Sequence, residues 1–232
     1  MRWGLTAAAD IPLEFDGAKF QLKAGEPNAK HGGVVRMGIP IRPPHFDLHQ
    51  SGTIFNLGAM GCMFDNLIRH DPRDGGKTII PDLAHSWQIA KDGKTYTFLL
   101  LRDDVQFHDS TQLTADDVKA TFDRIAKPPQ GISIPRSILF KAVSEINARD
   151  KYTVEFKLSE PRPVNFMMSA IASGWNVICA RKRWKTTVTT SAKSRSIRAP
   201  VHSVASSTPR TKSGRWKKTK IIGIRNYLIW TE

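Results

Sequence analysis

The feature that most constrains the fold is an alternating apolar segment that follows a tight-turn signal. In "SWQIAKDGKTYTFLLL", Asp92-Gly93 separates two strand-like runs, and Tyr96, Phe98 and Leu100 alternate with other residues in the second run. Asp-Gly between such runs predicts a β-hairpin, because this pair readily adopts the backbone of a two-residue turn. Side chains that repeat with a period of two share one face, so the hairpin predicts a sheet with a buried side.

A capped helix is predicted next along the chain, in "LTADDVKATFDRI". Thr114 is the predicted N-cap, and Asp117 takes the third position of a capping box. Val118, Phe122 and Ile125 recur at helical spacing, which predicts a buried stripe. The helix would therefore pack against the sheet through this stripe.

Four further elements complete the predicted order. A second hairpin has its turn at 148–151, an apolar run at 32–40 predicts a buried strand, and residues 163–174 predict a short helix. Apolar residues at spacings of three and four from Thr53 predict one more helix that ends near Arg69. Strand, helix, hairpin, helix, hairpin, helix is the order of an α/β (mixed α+β) domain. Trp87, Tyr96, Phe98 and Phe107 are predicted to lie in its core.

The positive charge is confined to the end of the chain. The 232 residues carry a formal net charge of +14. Residues 181–232 hold 14 Lys and Arg but only one acid, so the rest of the chain is close to neutral. A basic Ser/Thr-rich segment could bind nucleic acid or an acidic surface, which remains an alternative function. Its composition also predicts disorder.

Motifs for catalysis or metal binding are not recognisable in this sequence. His108-Asp109 follows a strand, and we expect Asp109 to bond backbone amides in a turn rather than to orient a catalytic base. His45 and His49 flank Asp47, but on a proline-rich loop we expect solvated side chains rather than a metal site. We therefore predict no catalytic residue, no metal ligand and no cofactor.

The cysteines and the N-terminus add little about function. Cys62 and Cys179 form no metal or disulfide pattern, and both are predicted to be small buried side chains. No apolar run approaches the roughly 20 residues of a membrane span. The first residues contain no recognisable secretory signal.

Residues 81–125, "PDLAHSWQIAKDGKTYTFLLLRDDVQFHDSTQLTADDVKATFDRI", resemble the hallmark segment of the extracytoplasmic solute-binding proteins of family 5. This is the dipeptide/oligopeptide/nickel class of receptors for ABC importers. The departures from the family pattern are Gln88 for an acid and Asp104 and Ser110 for turn glycines. With "GGVVRMGIP", "YTVEFKLSEP" and "SGWNVI", the resemblance covers residues 32–183.

The resemblance implies a two-lobed periplasmic binding protein fold. Residues 32–183 would supply the first strand of one lobe and its extra subdomain, residues 1–31 an unassigned extension, and the second lobe would be missing. The implied protein is a monomeric, non-enzymatic, periplasmic or extracytoplasmic receptor for peptides or similar solutes. It would work with a membrane permease, and no nucleic-acid partner is expected. Without the second lobe, this chain would bind solute poorly. Phe46, Asp47 and Ser51 are the ligand-contact candidates.

The segment 184–232 does not resemble the family in the frame in which it is written. Tryptophan has one codon, so Trp184 and Trp216, each followed by Lys, force Glu in a frame shifted by one base, and Trp230 before Thr forces Asp. With permitted third bases the shifted frame reads L-E-D-N-G-Y-D at first and L-P-Y-L-D-G at the end, as family members do. We therefore expect this tail to be translated out of frame.

Overall fold

The computed structural model describes residues 11–20, 28, 45, 47–100, 105–182 and 205–206. The strand predicted at 32–40 and nearly all of the segment 184–232 lie outside these residues. The strands are β1 (Glu14–Phe15), β2 (Ile68–His70), β3 (Ile79–Pro81), β4 (Ala84–Ile89), β5 (Thr95–Leu100), β6 (Gln106–Phe107), β7 (Val143–Ala148), β8 (Thr153–Leu158) and β9 (Ala205–Ser206). The α-helices are α1 (Ile54–Met60), α2 (Ala115–Ala126) and α3 (Val164–Ile171).

An antiparallel sheet of five strands, in the order β1-β4-β5-β8-β7, organises the described fold. Both predicted hairpins are present, and β5 pairs with β8 so that they lie side by side. Trp87, Phe98 and Val154 stand opposite one another in consecutive strands, and all three are buried. The period-two prediction for this face is therefore confirmed.

Helix α2 covers the buried face of the sheet through the predicted stripe. Val118, Phe122 and Ile125 are fully buried. The ring of Phe122 meets that of Phe156 edge to face at 5.0 Å between centroids, an arrangement favoured by the aromatic quadrupole. The predicted capping box is present, since the Asp117 carboxylate accepts a hydrogen bond from the Thr114 backbone N–H at 3.0 Å.

The helix predicted from Thr53 to Arg69 is much shorter in the structure. Helix α1 ends at Met60, a 3-10 turn follows, and Ile68 begins strand β2, where it pairs with Pro81 of β3. The apolar spacing misled because Ile68 packs into the main hydrophobic core from a strand, whereas Ile54 at the start of the predicted stripe is 62% exposed. Tertiary pairing overrode the local period here.

The two cysteines differ in environment. Cys179 is buried as predicted, and its backbone N–H donates to the Thr121 hydroxyl at 3.1 Å. Cys62 is exposed on the 3-10 turn after α1, so its predicted burial is wrong. Within the described part of the chain, no helix has the length and apolarity needed to cross a bilayer.

Candidate functional site

The loop before α1 is tied to helix α2 by an ion pair. Asp47 Oδ2 lies 2.6 Å from the Arg124 guanidinium, and the two side chains are only 19% and 8% exposed. Asp47 also accepts the backbone N–H of His49 at 3.0 Å and the side-chain amide of Gln50 at 2.8 Å. The prediction that these loop side chains are solvated is therefore wrong for Asp47. This carboxylate fixes the loop on the helix.

His49 is buried beside this ion pair. Its Nε2 lies 2.9 Å from the carbonyl oxygen of Val177, and a carbonyl can only accept, so Nε2 carries the proton. Nδ1 is then free to accept from the Arg124 guanidinium at 2.9 Å. With both ring nitrogens engaged, His49 is a structural residue rather than a metal ligand. No group of potential metal ligands occurs among the described residues.

The other predicted site residues lie close to this loop. Ser51 is buried, and its hydroxyl accepts the backbone N–H of Thr53 just before α1. The side-chain amide of Asn56 donates to the carbonyl of His45 at 2.8 Å. Phe46 lies outside the described residues. Asp47 and Ser51 thus belong to one structured loop whose polar groups are directed at the protein itself.

Arg136, on the 3-10 helix Pro135–Phe140, contacts the same loop through its guanidinium. One nitrogen of its guanidinium donates to the carbonyls of Leu48 and His49 at 2.9 and 2.8 Å. The guanidinium carbon is 5.3 Å from the centre of the Trp175 ring, within the range of a cation–π contact. Burial lowers the pKa of Arg136, and the Asp47 carboxylate opposes this effect. An arginine in such a position stays charged at neutral pH.

A pocket of about 620 Å³ opens beside Arg136 and Trp175. The end of the loop, the 3-10 helix that carries Arg136, helix α3 and the segment after α3 together form its walls. Its lining residues are Gly52, Arg136, Leu139, Asn165, Phe166, Ser169, Ala170, Ser173 and Trp175. A concave site with apolar walls and a few fixed polar groups is the usual form of a small-molecule site. The loop predicted to contact ligand therefore supports the pocket and borders it at Gly52.

Sequence reasoning missed both Arg136 and Trp175. Arg136 stands in no motif, and a hairpin and a helix separate the two residues in the chain. The only sequence signal was the segment "SGWNVI", which contains Trp175 but indicates no chemistry without its partner.

The pair His108-Asp109 behaves as the turn that was predicted. Asp109 accepts the backbone N–H of Thr111 at 3.1 Å and is paired with Lys182. Burial by itself would raise the pKa of Asp109, but the hydrogen bonds from Lys182 and Thr111 outweigh it and hold the pKa at about 2. His108 lies near the Met63 carbonyl rather than against this carboxylate.

Solved structures with this fold are periplasmic binding proteins. The chain is similar to the binding protein AgaA from A.tumefacien R10, solved in complex with agropinic acid, with a TM-score of 0.57 and 26% sequence identity. The similarity covers 64% of this chain and 28% of AgaA. The mixed α/β fold predicted from the sequence, as part of a periplasmic binding protein, is therefore confirmed.

Sequence comparison gives the family. Residues 78–220 match the model of the bacterial extracellular solute-binding proteins, family 5 Middle, and the chain belongs to that family. It is 35% identical over 135 residues to di/tripeptide-binding protein 1 of Pseudomonas aeruginosa (strain UCBPP-PA14), covering 51% of this chain and 24% of the relative. It is 31% identical over 133 residues to the dipeptide-binding protein of Escherichia coli (strain K12), covering 49% and 23%.

Membership places the chain among proteins of a known general class. Family 5 proteins are the substrate-binding, non-enzymatic components of ABC transporters and are periplasmic. The prediction that the chain is not an enzyme agrees with this membership. The matched part of the chain spans about a quarter of the length of these curated relatives.

Proposed function

We propose that this chain supplies part of the solute-binding surface of an ABC-importer receptor for peptides or similar solutes. The pocket beside Arg136 and Trp175 carries the proposal, because the guanidinium of Arg136 is already held in place by main-chain carbonyls of the supporting loop. Preformed polar groups lower the ordering cost of binding. The receptor would act as a periplasmic monomer that delivers its solute to a membrane permease.

The loop residues have distinct roles in this proposal. Asp47 is a positioning residue, since it holds the loop whose carbonyls in turn fix Arg136. Ser51 orders the backbone next to Gly52, which lines the pocket. Phe46 is kept as a proposed direct ligand contact.

Photoaffinity labelling tests this surface. A dipeptide that carries a benzophenone group is irradiated with the purified chain at millimolar concentration, and the labelled peptides are identified by mass spectrometry. We expect labelling to concentrate in residues 165–175. Ser169→Trp, which fills the pocket from α3, should abolish the labelling, while the exposed control Lys157→Trp on the sheet should not. Labelling that is spread evenly, or is unchanged by Ser169→Trp, would refute the pocket as the solute site.

We also propose that the chain by itself does not bind solute tightly. The residues matched to the relatives make up about a quarter of their length, and the two-lobed cleft that the family resemblance implies would need residues from both lobes. Isothermal titration of the chain with a library of short peptides should give no saturable heat at micromolar protein. Clear saturable binding would overturn this proposal.

The proposed reading frame of residues 184–232 depends on the coding DNA. Tail charge and the forced acidic residues at the three tryptophan codons support out-of-frame translation, whereas the family match that runs to residue 220 extends into this segment. Sequencing should show L-E-D-N-G-Y-D from about codon 184 in the shifted frame. Stop codons or unrelated residues there would refute the frame shift. Salt-dependent binding to duplex DNA would then test the basic tail as a binding element.

A further inference from the structure

We propose that His49 is a pH-sensitive latch, whose protonation releases the loop before α1 (residues 47–52) from helix α2. The released loop no longer borders the pocket at Gly52, so proton uptake and solute binding oppose each other. Release of the loop follows from the contacts of His49, whereas its effect on a solute rests on the proposed function and adds the regulation of that site.

The contacts of His49 require a neutral ring with its proton on Nε2. Nε2 lies 2.9 Å from the carbonyl oxygen of Val177, which can only accept, and Nδ1 lies 2.9 Å from the Arg124 guanidinium, which can only donate. A protonated imidazole has two donors and no acceptor. Its Nδ1–H would meet the N–H groups of Arg124, and because the His49 side chain is buried, water cannot replace the lost contact while the loop stays closed.

The charges around His49 also oppose a proton on its ring. Titratable or charged groups among the described residues come from each element that packs around it, namely Asp47 and His45 on the loop, Arg124 on α2, Arg136 on the 3-10 helix Pro135–Phe140, and the buried Cys179 thiol beside Val177. Helix α1 contributes no ionisable residue. The one carboxylate already lies 2.6 Å from Arg124. A charged ring would therefore place a further cation next to two arginines, and like charges disfavour one another in a buried site.

The latch is connected to the pocket through the main chain of the loop. Arg136 donates to the carbonyls of Leu48 and His49, and Gly52 lines the pocket three residues further along. If the loop leaves α2, Arg136 loses both acceptors and the pocket loses its border at Gly52. The border is therefore in place at neutral pH and is lost as the ring becomes protonated.

Hydrogen exchange with mass spectrometry on the full chain measures this release. The peptide 47–53 contains the amides of His49 and Ser51, which donate to the Asp47 carboxylate and the Leu48 carbonyl in the closed loop. After correction for the intrinsic exchange rate, its protection should fall at least about tenfold from pH 7 to pH 5. Histidine ordinarily titrates near pH 6.5, and only the open loop takes up the proton. Strands β5 and β8 should keep their protection, since a local opening does not unfold the sheet.

A glutamine at position 49 separates protonation from packing. Its amide can donate and accept like the two ring nitrogens but does not titrate, so His49→Gln should abolish the pH dependence of peptide 47–53. The matched control is His70→Gln. Nδ1 of His70 lies 2.9 Å from the carbonyl oxygen of Gly76, so it already donates, and protonation of that ring removes no acceptor from this contact. His70→Gln should therefore keep the wild-type pH dependence.

One other group titrates in the same window. Burial raises the pKa of Asp82 to about 6, but Asp82 is present in the wild type and in both variants, so it produces no difference between them. If His49→Gln does not fold, long-range ¹H–¹⁵N spectra of the wild type decide. The ring of His49 should be the Nε2–H tautomer at pH 7 and should gain its second proton in step with the loss of protection in peptide 47–53.

A solute tests the connection to the pocket. The benzophenone dipeptide, at a concentration equal to its Kd, should raise the protection of peptide 47–53 at pH 5 about twofold, because it binds the closed loop only. Unchanged protection in a sample whose pocket is labelled would overturn the opposition between proton and solute.

The outcomes distinguish the latch from the proposed function. Equal protection of peptide 47–53 at pH 7 and pH 5, an equal loss in His49→Gln and the wild type, or a ring that gains its proton while the loop stays protected would each overturn the latch. None of these results affects the labelling of the pocket at pH 7, which tests the solute site. Failed labelling at pH 7, with the expected loss of protection in acid, would overturn the solute site and leave the release of the loop standing.

Discussion

Removal of the Asp47 charge should destabilise the fold by about 2–3 kcal/mol, because Arg124 would then be a buried cation without a counter-charge. At an effective dielectric constant of about 20, two charges about 4 Å apart attract by about 4 kcal/mol, and desolvation offsets part of this. The Asp47 and Arg124 side chains are 19% and 8% exposed and 2.6 Å apart, so little of the interaction is screened by water. The expected loss lies just below the roughly 3–5 kcal/mol that is usual for a broken buried pair, because the Asp47 side chain keeps some exposure.

Urea unfolding at neutral pH, followed by tryptophan fluorescence, measures this loss in Asp47→Asn. Helix α2 offers a matched control in the pair Lys119–Asp123, which is 2.8 Å apart but 39% and 44% exposed. Asp123→Asn should cost less than about 0.5 kcal/mol. About 0.5 M sodium chloride should reduce the control effect further and leave the Asp47 effect nearly unchanged.

A double-mutant cycle isolates the pair itself. Arg124→Met with Asp47→Asn should cost about 2 kcal/mol less than the sum of the two single substitutions, because each single change already breaks the pair. A cost for Asp47→Asn no larger than that of Asp123→Asn, or strictly additive single changes, would refute the reasoning. Asp47 would then be the solvated loop residue that the sequence suggested.

Three further effects are expected from single residues. Ser110 has a φ of +66° where the family pattern has glycine, so Ser110→Gly should stabilise the fold by about 0.5–1 kcal/mol in urea unfolding, and a loss of stability would contradict this. Burial raises the pKa of Asp82 from its ordinary 3.8 to about 6, so the contribution of this carboxyl to the free energy of unfolding falls as pH rises from about 4 to about 6. The free energy of unfolding of Asp82→Asn should therefore rise by about 1–3 kcal/mol relative to that of the wild type across this window. A pH-independent difference between the two proteins would contradict the prediction. The Asp117 carboxylate caps α2 and accepts the backbone N–H of Arg181 at 2.9 Å, so Asp117→Asn should lower the free energy of unfolding by about 1–2 kcal/mol in the same assay. Asp116→Asn, at its exposed neighbour, should lower it by less than about 0.5 kcal/mol. Equal losses would contradict the capping role.

Local chemistry is sufficient for the elements that the sequence predicted correctly. Asp92-Gly93 specifies a turn by its own backbone preferences, and alternation at Tyr96, Phe98 and Leu100 specifies which face is buried. The capping box at Thr114 likewise involves residues three apart in the chain. Such signals lie within a few residues of one another, so they can be recognised without knowing which elements pack against them.

Predictions from local sequence patterns failed where burial depends on a segment distant in the chain. Ile68 fits a helical period, yet it lies in strand β2 opposite Pro81 of β3, and Cys62 was predicted to be buried but is exposed on a turn. Whether a residue is buried there depends on what packs against it, which a period alone does not specify.

The candidate site was the part that only the tertiary structure could decide. Asp47 was predicted from the sequence as a ligand contact, which stays a prediction, and its ion pair with Arg124 became visible only in the structure. Arg136 and Trp175 are 39 residues apart and meet only because the second hairpin and α3 fold back on the loop before α1. The sequence alone determined the family, the hairpins and the capped helix, since each is specified by a contiguous stretch of residues. The pocket beside Arg136 and Trp175 depends on contacts between distant segments, which form only when the whole region packs.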